Sequence, residues 1–164
     1  MQIPLVALRA IQLLLVVITT ALVGNAIQEA FAGNPSSVNF AIFAAVFALI
    51  TVLYGLVAAF MDAVAVPILL MALDAISLVA TFIAGVVLAA KLGVHSCGNQ
   101  SYILSNSITN GSHNPSKRCH ELQAATAFFW FLFATFIATL ALTAMASKGS
   151  IGGIRRGGAP RSQV

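Results

Sequence analysis

Residues 67–90 read PILLMALDAISLVATFIAGVVLAA, an apolar run with a single charge, Asp74, near its middle. A run of this length can cross a hydrocarbon core of ~30 Å as a helix. An acid inside such a run is costly unless it faces protein or water. On a 3.6-residue period, Asp74, Ser77, Thr81 and Gly85 fall on one face, and Leu, Ile, Val and Phe cover the others. The polar face is therefore expected to turn towards partner helices.

The rest of the chain has the same character. Of its 164 residues 60% are hydrophobic and 7% charged, with a mean hydropathy of +0.99. A soluble domain is nearer a quarter charged. The composition predicts an all-α integral membrane protein, a bundle of four transmembrane helices with no separate soluble domain. The spans lie at about 3–23, 38–60, 67–90 and 122–146, so that residues 1–146 form one membrane domain. The first span has a basic start (Arg9) and small residues near Gly24, as a signal peptide would, but its apolar run is long for one. Gly33 and Pro35 break the chain before the second span. Only residues 61–66 separate the second and third spans, which makes them an antiparallel hairpin with Pro67 in a tolerated first-turn position.

Four spans put both termini on one side. Lys148, Arg155, Arg156 and Arg161 lie in the tail, 147–164, and Arg9 in the first span, so that side is expected to be cytoplasmic. The loop 91–121 is then extracellular, although it carries Lys91, Lys117 and Arg118. Its Cys97 and Cys119 bracket it, which suits a disulfide in an oxidising compartment. The rival is a Cys/His metal site with His95, His113 and His120, whose spacing matches no zinc pattern. Asn99 and Asn110 begin glycosylation sequons in the same loop, whereas Asn114 precedes Pro115 and does not.

With this orientation the polar residues of the spans can be placed by depth. Arg9 lies six residues past Ile3 and Asp74 seven past Pro67, which at 1.5 Å per residue is roughly 9–11 Å into each helix. Tyr54 and Thr139 lie equally far from the inner ends of the second and fourth spans. Arg9, Tyr54, Asp74 and Thr139 are thus expected to share a layer, with Thr135 and Thr143 on the same stripe as Thr139. Pairing with Arg9 would remove most of the penalty on Asp74; Arg9 can instead snorkel to the headgroups. No proline breaks any span, and no second acid or histidine lies deep in one. A structural polar lock is therefore preferred to a transport site.

The sequence holds no Gly-rich phosphate loop, no HExxH and no CxxC, and no nucleophile stands with a base and an orienting group. It predicts neither an enzyme nor a cofactor. The basic tail reads GSIGGIRRGGAPRSQV after Lys148 and is expected to be disordered. Without a folded basic domain, it points to anionic lipid rather than nucleic acid, at up to ~1 kcal/mol per basic residue near the surface. Ala44 with Ala48 and Gly55 with Ala59 form small-residue steps that permit close helix packing.

A family resemblance runs in order along nearly the whole chain. Its landmarks are Ser37-Val38-Asn39-Phe40, Leu53-Tyr54-Gly55, Leu73-Asp74 and Thr81-Phe82-x-Ala84-Gly85. In the long loop they are His95-Ser96-Cys97-x-Asn99-x-Ser101-Tyr102, Asn106, Ile108-Thr109, Gly111-Ser112 and Arg118-Cys119, followed by Gln123-Ala124-Ala125 and the terminal Ser162-Gln163-Val164. In these the chain resembles fungal MARVEL-domain proteins of the non-classical export protein 2 type. The resemblance implies a four-span plasma-membrane protein with an external disulfide loop. It also implies a role in furrow-like membrane domains over eisosomes, in responses to sphingolipid status and in secretion without a signal peptide. Expected partners are membrane lipids (sphingolipid, sterol or anionic lipid), further copies of the chain, and eisosome proteins. The leading expectation is a self-associating membrane organiser; the alternatives are a small channel or transporter using Asp74 and an adaptor acting through the long loop.

Overall fold

The structure is a computed structural model that describes residues 3–93 and 95–156, without the side chains of Asp62 and residues 146–156. Five α-helices follow in order: α1 (Ile3–Gln28), α2 (Ser36–Phe60), α3 (Pro67–Leu92), the short α4 (Gln100–Ser105) and α5 (Pro115–Arg156). Four of them are long and apolar enough to cross a membrane: α1, α2, α3 and the Pro115–Met145 part of α5. At 1.5 Å per residue, the 26 residues of α3 span about 39 Å, more than a hydrocarbon core of ~30 Å.

The helix ends follow from local chemistry. Pro67 sits in the first turn of α3, where its missing N–H is not needed. Gly93 ends α3 at φ +58°, a left-handed conformation that glycine adopts without a Cβ clash. The last carbonyls of α3 are not left bare. Leu92 accepts from the Tyr102 hydroxyl, and Lys91 accepts from Asn106 Nδ2 at 2.8 Å.

Two boundaries differ from those expected. The fourth span starts its helix at Pro115 rather than near Leu122, because Asn114 Oδ1 accepts from Lys117 N at 3.1 Å and Pro115 suits a first helical position. Cys119 is therefore on a helix, not in a loop. At the other end the backbone of α5 is helical to Arg156, where the sequence reading expects disorder from residue 147. Each glycine costs only about 1 kcal/mol relative to alanine, and an existing helix gains a hydrogen bond with every added residue. The side chains of Lys148, Arg155 and Arg156 lie outside the described residues, as does Arg161 altogether.

The four long helices form a closed ring. α1 packs on α2 and α5, and α3 packs on α2 and α5; the diagonal pairs make no close backbone approach among the described residues. Val16, Val23, Val52, Leu88, Leu132 and Phe136 fill the centre. Ala44 and Ala48, the small step on α2, are wholly buried here. They bring α2 close to its own neighbours, so they are not available for a second copy. The outward face of α2 carries Phe43, Val46, Ile50, Leu53 and Val57 instead.

Candidate functional site

The ring of helices closes on one guanidinium. Arg9 of α1 donates from Nη1 to Asp74 Oδ1 at 2.8 Å and from Nη2 to Oδ2 at 2.7 Å. This bidentate geometry is the strong form of the contact. It also joins α1 to α3, the two helices that stand diagonally across the ring. Arg9 is 2% exposed and Asp74 0%, so the arginine does not snorkel out. Its Nη1 also donates to Gln12 Oε1 at 3.0 Å, and Gln12 Nε2 donates to Thr139 Oγ1 of α5 at 3.4 Å. α2 contributes an absence. A Cβ placed on Gly55 would stand 2.5 Å from Arg9 Nε and 2.7 Å from Cζ, so only glycine leaves room for the guanidinium. α1, α2 and α3 therefore meet at Arg9, and α5 joins them through Gln12.

A second polar layer lies next along the bundle. Ser77 of α3 donates to Thr51 Oγ1 of α2 at 2.9 Å, and Thr81 donates to the Ser77 carbonyl at 2.8 Å. The face of α3 that carries Asp74, Ser77, Thr81 and Gly85 is buried throughout. Gly85 lies against Trp130 of α5. The energetic logic is that of charge cancelled within hydrocarbon. An arginine or aspartate at the centre of a span costs about 2.5–3.5 kcal/mol on insertion scales. Paired and hydrogen-bonded, neither charge faces lipid.

Of the four residues expected in one layer, the structure joins Arg9, Asp74 and Thr139 through Gln12. It places Tyr54 elsewhere: its hydroxyl donates to the Val64 carbonyl at 2.8 Å and ties α2 to the turn Asp62–Val64. Depth alone did not give the direction of Tyr54, which leaves the axis about 100° round from its neighbour Gly55. Gln12 and Gly55 take its place. Gln12 was legible as the i+3 neighbour of Arg9; Gly55 was read only as half of a step with Ala59.

The far end of the bundle is closed by interlocked loops. Cys97 and Cys119 are joined as a disulfide, tying the segment after α3 to α5. The three histidines are engaged separately: His95 packs on Tyr102, His113 on Phe31, and His120 Nδ1 meets the Ser116 carbonyl. An isolated antiparallel bridge pairs Ala30 with Ser112, so the loop after α1 and the loop before α5 hold each other. The basic residues of the long loop are also tied locally. Lys117 Nζ lies 2.5 Å from Glu29 and 3.7 Å from Glu121. Arg118 is wholly buried. It donates to Asn34 Oδ1 at 2.7 Å and to the Asn110 carbonyl at 3.4 Å. Replacing Asn34 with alanine strips a charged group of its shortest bond and is expected to lower stability by about 1.5–3 kcal/mol. Thermal unfolding in detergent would read this, with Asn34→Asp, which offers Arg118 a carboxylate, losing less. Equal stability of Asn34→Ala and the parent would show that Arg118 does not depend on it.

The comparisons with known proteins match this architecture. Residues 2–142 match the MARVEL family, described as a membrane-associating domain. The chain is 39% identical over 148 residues to Non-classical export protein 2 of Saccharomyces cerevisiae, covering 88% of this chain and 83% of that protein. It is 39% identical over 161 residues to Non-classical export protein 102 of Candida albicans, covering 97% and 93%. With the Schizosaccharomyces pombe homologue of Non-classical export protein 2 it shares 30% over 140 residues, covering 85% and 73%. No solved structure matches.

Proposed function

This chain belongs to the MARVEL family, among the fungal non-classical export proteins, and from that premise we propose that it is a non-enzymatic organiser of the plasma membrane. Copies of it associate laterally and stabilise eisosome-type membrane domains. The termini face the cytoplasm, and the disulfide loop faces outward. On the inner side the tail carries the basic residues Lys148, Arg155, Arg156 and Arg161 in its sequence, and anionic headgroups draw such segments to that leaflet. The domains so stabilised respond to sphingolipid status, and the route named in its relatives, export by a non-classical path, depends on them.

The observation that carries this reading is the closure of the polar centre. Arg9, Asp74, Gln12 and Thr139 bond to one another across the ring, and Gly55 seals the remaining side. A site for ion or proton passage needs groups free to exchange partners with water or a second site. The outward surface, by contrast, is bulky and apolar, with Phe43, Ile50, Val79, Phe82, Phe131 and Ile137 exposed along three helices. Such faces suit contact with lipid and with further copies.

Reconstitution into liposomes would test the proposal on both counts. Proteoliposomes are expected to hold a proton and potassium gradient as long as empty ones do. Energy transfer between labelled copies is expected to exceed the random level at equal protein-to-lipid ratio. Flux that disappears in Asp74→Asn would make the protein a channel or transporter. Random-level transfer would remove self-association.

A further inference from the structure

The outer loops form a cavity of about 560 Å³ at the second glycosylation sequon, between the loop after α1 and the loop before α5. Its walls include Phe31, Gly33, Asn34, Ser107, Asn110 and Gly111. Two of these features are unusual together. Phe31 is 64% exposed although it lies in the loop after α1, outside the spans. Asn110 begins the sequon Asn110-Gly111-Ser112, is itself exposed, and uses its Oδ1 to accept from Gly111 N at 2.7 Å. Its Nδ2 has no bond among the described residues. The backbone holds the two side by side: Phe31 N donates to the Gly111 carbonyl at 3.0 Å.

We propose that Asn110 carries an N-linked glycan whose first sugar is seated in this cavity against Phe31. The inference rests on the outward orientation of the loop proposed above. In the transfer, Asn110 Nδ2 attacks the anomeric carbon of a diphosphate-linked oligosaccharide on a lipid carrier. The new N–C bond forms as the anomeric C–O bond breaks, the diphosphate leaves with the bonding pair, and Nδ2 loses one proton. Ser112 is 4% exposed in the fold, so transfer precedes folding, while the sequon is still extended. Asn99, the other sequon asparagine, caps α4 by accepting from Tyr102 N at 3.3 Å through its Oδ1 and is not among the residues lining the cavity, so only a glycan on Asn110 can be seated there.

The cavity offers what a pyranose needs. The C–H face of a sugar packs on an aromatic ring, and the surrounding amides and hydroxyl of Asn34 and Ser107 meet its polar edge. A volume in the range of small-molecule sites leaves room for the ring and its acetamido group. The sugar would also cover an apolar side chain that is otherwise exposed.

The full chain made in a eukaryotic secretory host provides the test. Endoglycosidase is expected to shift Asn99→Gln by one glycan and to leave Asn99→Gln/Asn110→Gln unchanged. Enzymatic deglycosylation of the parent is expected to lower its Tm by about 2–4 °C, the scale of one packing contact in a chain of this length. The same treatment of Phe31→Ala, and of Phe31→Leu as a better-folding control, is expected to produce no drop. An unshifted Asn99→Gln overturns the assignment. An undiminished drop in both Phe31 variants overturns the seat. Labelling of intact cells at Lys117 with a membrane-impermeant amine reagent separates the two levels. Labelled Lys117 with a bare Asn110 refutes the glycan while the orientation stands; unlabelled Lys117 refutes the orientation and the inference together.

Discussion

Asp74→Ala is expected to destabilise the protein by about 3–5 kcal/mol, and Arg9→Leu by a similar amount, because each leaves a buried charge without its partner. Neither loss measures the worth of the pair. Removing both charges at once, as Arg9→Leu/Asp74→Leu, removes the penalty together with the attraction. The double variant is therefore expected to recover most of the loss, and an apolar pair in the same space is often neutral or stabilising. The exchange Arg9→Asp/Asp74→Arg is expected to recover less. The space for a guanidinium is built around α1, with Gln12 Oε1 on one side and Gly55 on the other, and α3 offers no such seat. Unfolding in mixed detergent micelles, read as a double-mutant cycle, gives the coupling directly. Additive single losses would mean that Arg9 and Asp74 do not act as one unit. A channel would behave differently again: its apolar double variant could be stable and yet lose conduction.

Much of this was open to reading in the chain, and the failures have a common cause. An acid alone in an apolar run requires a partner, and counting residues from the span ends found Arg9 and Thr139 at its depth. Depth is a one-dimensional quantity, set by the rise per residue. What it omits is azimuth. Tyr54 and Gly55 are neighbours at one depth, yet one reaches the Val64 carbonyl and the other faces Arg9. Which of them turns inward depends on how α2 is rotated against α1 and α3. The alanine step of α2 marks a close helix approach, as expected, but small residues do not tell whether the approaching helix belongs to this chain or another. Arg118 was invisible for a different reason. Its surroundings, Asn34 and the Asn110 carbonyl, come from two loops that are distant in sequence until the Ala30–Ser112 bridge joins them. The Cys97–Cys119 pair needed no such knowledge, since both cysteines bracket one loop.

Gly55 offers the second large effect, and its sign should depend on Arg9. Glycine inside a helix is about 1 kcal/mol less favourable than alanine, so Gly55→Ala would ordinarily stabilise α2. Here the added Cβ would lie 2.5 Å from Arg9 Nε and 3.0 Å from Nη2. A flexible side chain can usually move away from such a contact. This one cannot do so freely, because both Nη atoms are held by Asp74 and Nη1 also by Gln12. Gly55→Ala is therefore expected to cost about 1–3 kcal/mol through overpacking. Gly55→Leu fills the seat entirely and breaks the ion pair, so its cost is expected to approach the 3–5 kcal/mol of removing one charge. In the background Arg9→Ala/Asp74→Ala the guanidinium is gone, and Gly55→Ala is expected to change sign and stabilise by about 1 kcal/mol. The four proteins of that cycle, unfolded under identical detergent conditions, decide the matter. A Gly55→Ala effect of the same sign and size in both backgrounds would show that the glycine serves helix packing alone. Reversal of the sign would show that α2 keeps glycine at this position for the arginine, and so that α1, α2 and α3 are fitted around one buried cation.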